Sequence, residues 1–553
     1  MTMGRRKIFN FGGPILLALI STSLLMARCG GASGPSSGKG KRLMVLAIDG
    51  MDYGLLKRFM AEGKMPNFQA LAEEGDFVPL ATTIPPQSPV AWSSFITGLN
   101  PGHTGIFDFV HRDPDTMLPY LSTSRVEGAG RTLSLGKWVL PLSGGKAVQL
   151  RQGKPWWEML EERGVPATVI KIPANFPAEG QRGRVLSGMG TPDIQGTYGQ
   201  FSFFTTRPYR SERTLSGGDW IRVEVEDHMV RAALTGPVNT FLKENPKATT
   251  DFTVYLDPEY PLAKVRISNS GEEFLLKEGE WSEWVEVEFE LIPYLQSVSS
   301  ICRFYLKQVR PEFELYVTPV NLNPASPALP ISSPPEFSAE IAAAIGPFYT
   351  QGMPEDTKAL AGGVFEDEDF LRQADLVFRE RKRMYEHFLE EFDSGVLFFY
   401  FSSIDQAWHV LWRTMDPEHP AHNPERDAEH ADAIENIYVE MDGVLGMTRE
   451  KLGPQTPLLV LSDHGFAPWY RAFHLNTWLK DNGYLVLVDP SRQGEAEYLT
   501  NVDWSQTRAY GLGINGLYIN LLGREVNGFV PYLERDALVV EISGKLLEVR
   551  DPE

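Results

Sequence analysis

The sequence predicts an α/β protein: a mostly parallel sheet with helices on both faces, carrying an antiparallel β-rich insertion. Three observations predict it. Short apolar runs alternate with helical patterns over residues 43–200. Period-two runs rich in Val, Phe and Tyr fill about 208 to 330. Helical periodicity and two further apolar runs then return. The composition of the 553 residues, 42% hydrophobic and 22% charged with 2 Cys, excludes disordered, collagen-like and disulfide-scaffold classes.

In chain order, residues 1–42 read as a signal peptide or membrane anchor followed by a Gly/Ser-rich linker. Arg5, Arg6 and Lys7 precede an apolar stretch from Ile8 to Ala27, then Gly30 to Gly40. This implies export to the periplasm or cell envelope, with attachment through the N-terminus as one option. Cys29 stands where a lipoprotein signal places its lipidated cysteine, although Arg28 is a poor residue before such a cleavage. These 42 residues hold seven Lys/Arg and no acid, so the rest of the −20 chain is −27. A body so acidic repels polyanions, and nucleic acid is not expected as a binding partner.

The catalytic domain is predicted over 43–207 and 336–553, with the insertion at 208–335. Leu43 to Ile48 and Ala167 to Ile172 read as buried strands, and Trp284-Val-Glu-Val-Glu-Phe-Glu-Leu reads as an antiparallel strand with one wet face. Five prolines between Pro324 and Pro335 predict a stiff link. A helix is expected over Phe370 to Phe392, and strands over Val396 to Phe401 and Pro457 to Leu461. Cys302 reads as a buried thiol, and Trp156-Trp157 as a buried helix start.

Three of these strands end in chemistry-bearing residues: Asp49-Gly50, Asp405-x-x-x-His409 and Asp463-His464-Gly465. In an open parallel sheet ligands bind at the carboxyl ends of strands, so the groups can converge there. Each has a plainer alternative: Asp49 as a helix N-cap, Asp405 and His409 as a surface pair on a helix, Asp463-His464 as a capped loop. Three such endings together favour a metal site. Ser88 follows the Pro-stiffened Thr82-Thr-Ile-Pro-Pro-Gln and opens a helical pattern that runs to Thr97-Gly98. It is a candidate nucleophile at a helix N-terminus or simply that helix's cap.

In this order, Asp49-Gly50, Pro-x-Ser88 with Thr97-Gly98, Asp405-x-x-x-His409 and Asp463-His464-Gly465 resemble the alkaline phosphatase superfamily. The similarity is to its type I phosphodiesterase/nucleotide pyrophosphatase family, spans about 43 to 553 and includes Leu186-Ser-Gly-Met-Gly-Thr-Pro-Asp193. The resemblance implies an alkaline-phosphatase-like fold and hydrolysis of a small phosphate ester through a phosphoseryl intermediate on Ser88. It also implies two zinc ions, with manganese a fitting substitute. Asp49, Ser88, Asp463 and His464 would hold one ion, Asp405 and His409 the other.

Three departures from the family pattern stand out. Ser88 replaces the threonine of many relatives, Phe109 stands where a phosphoryl-binding asparagine is expected, and no histidine after His464 except His474 is present to complete the second shell. The last departure predicts a C-terminally truncated domain and keeps open a catalytically impaired, ligand-binding relative. His103, His419, His422 and His430 are read as loop residues. The Cys/Ser-x-Pro-x-Arg setting of a sulfatase is absent, since the serine is followed by Pro89-Val-Ala-Trp.

Overall fold

The computed structural model describes residues 40–551 except 129, 143–144, 179, 210–214, 494–496 and 515. The segment read as a signal peptide or anchor, with Cys29, lies outside the described residues. The central sheet contains β1 (Arg42–Ile48), β2 (Ala167–Ile172), β3 (Arg184–Ser187), β4 (Ser332–Ser333), β5 (Gly395–Phe401) and β6 (Leu458–Leu461). Their spatial order is β4-β3-β2-β5-β1-β6, and every neighbouring pair is parallel except β4 with β3.

Successive strand residues point to opposite faces, and helices cover both. On one face Met44, Leu46, Ile48, Leu397, Phe399 and Phe401 join a core with α1 (Tyr53–Ala61), the long α4 (Asp367–Glu391), α5 (Ser403–Met415) and α6 (Ala433–Leu452). On the other face Val45, Ala47, Phe398 and Tyr400 pack with Trp92 and Ile96 of α2 (Ser88–Thr97) and Trp157 of α3 (Trp156–Glu161). This double burial is why β1 and β5 are continuous apolar runs. The edge strand β6 has one neighbour and is less covered, with Leu459 46% exposed.

The β-rich residues build separate sheets over their own core. Four antiparallel strands run Met229–Val238, Lys247–Leu256, Leu262–Ile267 and Glu273–Lys277. In Val285–Ile292 the residues Val285, Val287 and Phe289 are buried while Glu286, Glu288 and Glu290 are exposed, the alternation of a sheet with one wet face. Cys302 is buried in this core.

Three features depart from the sequence reading. Phe201–Thr205, before residue 208, pairs with Glu314–Val317 antiparallel but with Gly218–Arg222 in parallel, so this five-stranded sheet is mixed. The Pro-rich link contributes β4, held to the main sheet also by Ser187 N–H donating to Ile331 O. Residues 110–149 form three small antiparallel pairings of three or four residues, too short to show a period.

Candidate metal centre

Asp49 continues β1 by one residue, its N–H donating to Phe401 O at 2.9 Å, and its side chain is fully buried. It is not a cap: Asp52 caps α1, accepting from Leu55 N–H at 2.9 Å. Gly50 has φ +64°, and a Cβ there would lie 2.9 Å from the Cα and Cβ of Asp405. Glycine therefore both permits the turn and lets the end of β1 approach Asp405 at the start of α5.

Ser88 opens α2, and the capping position falls to Gln87, whose side chain makes no cap bond. The Ser88 hydroxyl donates instead to Asp49 Oδ1 at 3.2 Å and lies 3.1 Å from His464 Nε2. The helix ends at Gly98 with φ 70°, a left-handed terminus suited to glycine.

Asp405 lies in the first turn of α5 with His409 one turn later, Nε2 3.5 Å from Asp405 Oδ2. Asp405 is buried and accepts from Gln406 Nε2 at 2.8 Å. His409 stands at the rim, its side chain 55% exposed and edge-on to Phe466.

After β6, Ser462 braces the turn: its hydroxyl accepts from Met51 N–H at 2.9 Å and donates to His464 O at 2.8 Å. Asp463 Oδ1 accepts from Gly50 N–H at 3.3 Å. His464 Nδ1 lies 2.7 Å from Gly465 O, and with Nδ1 donating to that carbonyl, Nε2 is the nitrogen that would give up its proton to a metal ion. Nε2 sits 3.5 Å from Asp49 Oδ1, 3.5 Å from Asp463 Oδ2 and 3.8 Å from Asp405 Oδ1.

Three buried carboxylates around one imidazole give a charge imbalance that shifts protons. Burial, then the Asp405 charge, pushes Asp49 up to about 6. Burial and the Asp49 charge hold Asp463 well above the usual carboxylate range. For His464 burial pulls downward, but the charges of Asp463, Asp49 and Asp405 outweigh it and raise it to about 9. His409 is likewise raised, because the hydrogen bond and charge of Asp405 overcome burial.

Asp49, Asp405 and His464 each place a ligand atom within 4.8 Å of the others. Asp405 Oδ1 and Asp463 Oδ2 are buried with no hydrogen-bond donor. Orphaned buried carboxylate oxygens are costly unless a cation meets them, so this oxygen and nitrogen set fits a metal ion.

His474 is exposed where the helix Leu475–Asp481 begins. His103 is exposed, bonded to Asn100 Oδ1 at 2.8 Å rather than packed. His422 is bonded to Arg413 O at 2.7 Å, and His419 lies against Tyr470. Asp193 closes its own loop by accepting the N–H groups of Gln195, Thr197 and Gln200. The Phe109 N–H donates to Gln87 Oε1 at 3.2 Å. Sequence reasoning missed Trp92 and Tyr400, which donate to Asp49 Oδ2 at 3.0 and 2.7 Å, and Gln406. Only the i, i+4 spacing of Ser88 and Trp92 hinted at one of them.

A cavity of about 260 Å³ opens beside the centre, lined by Leu80, Thr82, Trp92, Phe95 and Asp463 among others. A larger one of about 400 Å³, lined by Leu121, Phe176, Tyr198 and Val298 among others, touches none of the centre's residues. The donor groups, not cavity size, locate the chemistry.

Acids and a histidine gathered beside a serine hydroxyl at the carboxyl ends of parallel strands define the class: a hydrolase with a possible metal centre. The family model for type I phosphodiesterase / nucleotide pyrophosphatase matches residues 43–259 and 305–552. The chain belongs to this family of phosphate-ester hydrolases. The unmatched residues 260–304 hold several of the β-rich strands, among them Val285–Ile292. No curated protein and no solved structure matches the chain.

Proposed function

We propose that the chain is an exported hydrolase of phosphate diesters or pyrophosphates that acts through Ser88 at a two-zinc centre on an alkaline-phosphatase-like scaffold. The observation that carries this reading is the Ser88 hydroxyl shared between Asp49 and His464, beside two buried carboxylate oxygens without donors. Asp49, Ser88, Asp463 and His464 would hold one ion, and Asp405 with His409 the other. Zinc, or manganese in its place, would lower the pKa of the hydroxyl and offset charge on the phosphoryl and leaving oxygens.

The residues themselves orient the attack. Asp49 Oδ1 accepts the Ser88 hydrogen bond and aims Oγ, while burial of Asp49 and Asp463 keeps bulk water from competing with that contact. The Ser88 Oγ–P bond forms as the bond from phosphorus to the leaving oxygen breaks, and the proton lost by the Ser88 hydroxyl is balanced by the one the leaving oxygen takes up from solvent. Water then cleaves the phosphoseryl bond and returns the hydroxyl.

A second reading, a catalytically impaired pseudoenzyme or ligand-binding protein on the same fold, is favoured by one observation: His409 is half exposed, and Asp405 is the only other ligand proposed for its ion. Zinc titration of the metal-free protein, with a panel of nitrophenyl phosphate mono- and diesters, tests both. One tight and one weak zinc site with diester turnover are expected. Absence of turnover in zinc-loaded protein favours the second reading. Among the described residues no helix is long and apolar enough to cross a membrane. Export rests on residues 1–42, and amino-terminal sequencing of protein from the cell envelope tests it.

A further inference from the structure

The three carboxylates of the centre share a pattern: one oxygen is held by a protein donor and the other faces His464 Nε2. For Asp405 the donor is Gln406, and for Asp463 it is the Gly50 N–H. Asp49 is different, because two side chains from two elements grip a single oxygen. Trp92 Nε1 donates to Oδ2 at 3.0 Å and the Tyr400 hydroxyl at 2.7 Å. Both side chains are fully buried, and their rings meet edge-on with centroids 5.6 Å apart.

We propose that Trp92 and Tyr400 are positioning residues that make Asp49 a one-oxygen metal ligand and lock the nucleophile's helix to it. The inference rests on the reading that Asp49 holds a metal. With Oδ2 saturated, Oδ1 is the oxygen left to face Ser88 Oγ and His464 Nε2. Ser88 and Trp92 are four apart on α2, so one helix face touches both oxygens of a single carboxylate. Rotation of that carboxylate would break the Trp92 and Tyr400 bonds and displace the hydroxyl together. The two donors are neutral, so they fix Asp49 without cancelling the negative charge a cation needs.

Partners of metal ligands typically account for 10–100-fold in metal affinity. Tyr400→Phe removes one oxygen, and Trp92→Phe keeps an aromatic ring against Phe398 while removing the N–H. Zinc affinity is read by competition with a chromophoric chelator, kcat and KM with bis(nitrophenyl) phosphate, and folding by thermal unfolding of the metal-free protein. Each variant is expected to bind zinc about 10–100-fold more weakly. Each should also lose kcat with KM little changed, and the double variant should lose less than the product of the two single losses. Unchanged zinc affinity with a lowered unfolding temperature overturns the inference in favour of a packing role. Should Trp92→Phe not fold, Tyr400→Phe alone decides. Wild-type protein that binds no zinc overturns the metal reading itself and the inference with it, an outcome distinct from wild-type binding with indifferent variants.

Discussion

The parallel sheet and the antiparallel sheets of this chain use alternation in opposite ways. Every residue of β5 is buried, because both of its faces meet helices, whereas Val285–Ile292 alternates buried valine and phenylalanine with exposed glutamate. A strand sealed on both sides leaves little room for charged groups along its length, apart from satisfied ones such as the Tyr400 hydroxyl, so most of the acids and histidines gather where the strands end. Asp49 follows β1 directly, Asp463 follows β6 after Ser462, and Asp405 follows β5 by a few residues. The antiparallel strands spread their charge along a solvated face. Among the described residues, the one cluster with metal-ligand geometry lies at the parallel strand ends.

The comparison would break most visibly at Ser88. Ser88→Ala is expected to lower kcat by on the order of 10³-fold or more with the fold intact, since the proposed nucleophile is removed. Full activity in this variant would move the search to Ser93 or Ser94.

Metal removal is the next largest effect. Chelation should abolish turnover and added zinc restore it, while the antiparallel sheets keep their far-ultraviolet signal. Turnover that persists in rigorously metal-free protein would remove the strand-end cluster from the chemistry.

Stability tests sharpen the contrast between strands. In β5, Phe398→Ala and Phe399→Ala are adjacent but fully buried on opposite faces, and each should cost about 3–5 kcal/mol by denaturant unfolding. In Val285–Ile292, Phe289→Ala should cost about as much. One position away, the exposed Glu288→Gln should stay within about 0.5 kcal/mol. Equal costs at Glu288 and Phe289 would contradict the one wet face.

Acid titration probes a smaller effect outside both regions. His111, stacked on Phe107 in a short hairpin, is pushed down to about 4 by burial. A histidine held neutral in the fold charges more readily when unfolded. Its contribution is therefore present above about 6.5 and lost as pH falls through about 4. His111→Gln should flatten the loss of stability across that window, and an unchanged slope would assign it to other groups.

Much of this was legible in the sequence, for a local reason. β1 and β5 announce themselves as nearly continuous apolar runs because burial on both faces excludes charged side chains from their interior positions, and Val285–Ile292 does so by strict alternation. Asp49, Ser88, Asp405, Asp463 and His464 were nameable because each follows a strand end or opens a helix, and His409 because it stands one helical turn after Asp405, positions that residue order alone marks. Tertiary structure decided the rest. Tyr400 looks like one more apolar strand residue, and Trp92 like helix core, until β1, β5 and α2 are packed together and both donors meet Asp49 Oδ2. The crossing of Phe201–Thr205 into a mixed sheet and the capture of Ser332–Ser333 by β3 likewise depend on partners more than a hundred residues away. Side-chain periodicity records which face of a segment is buried, but it carries no information about which distant segment buries it. For that reason the sequence by itself determined the strands and the candidate ligands, and only the packed fold decided which oxygen of each carboxylate is left to act.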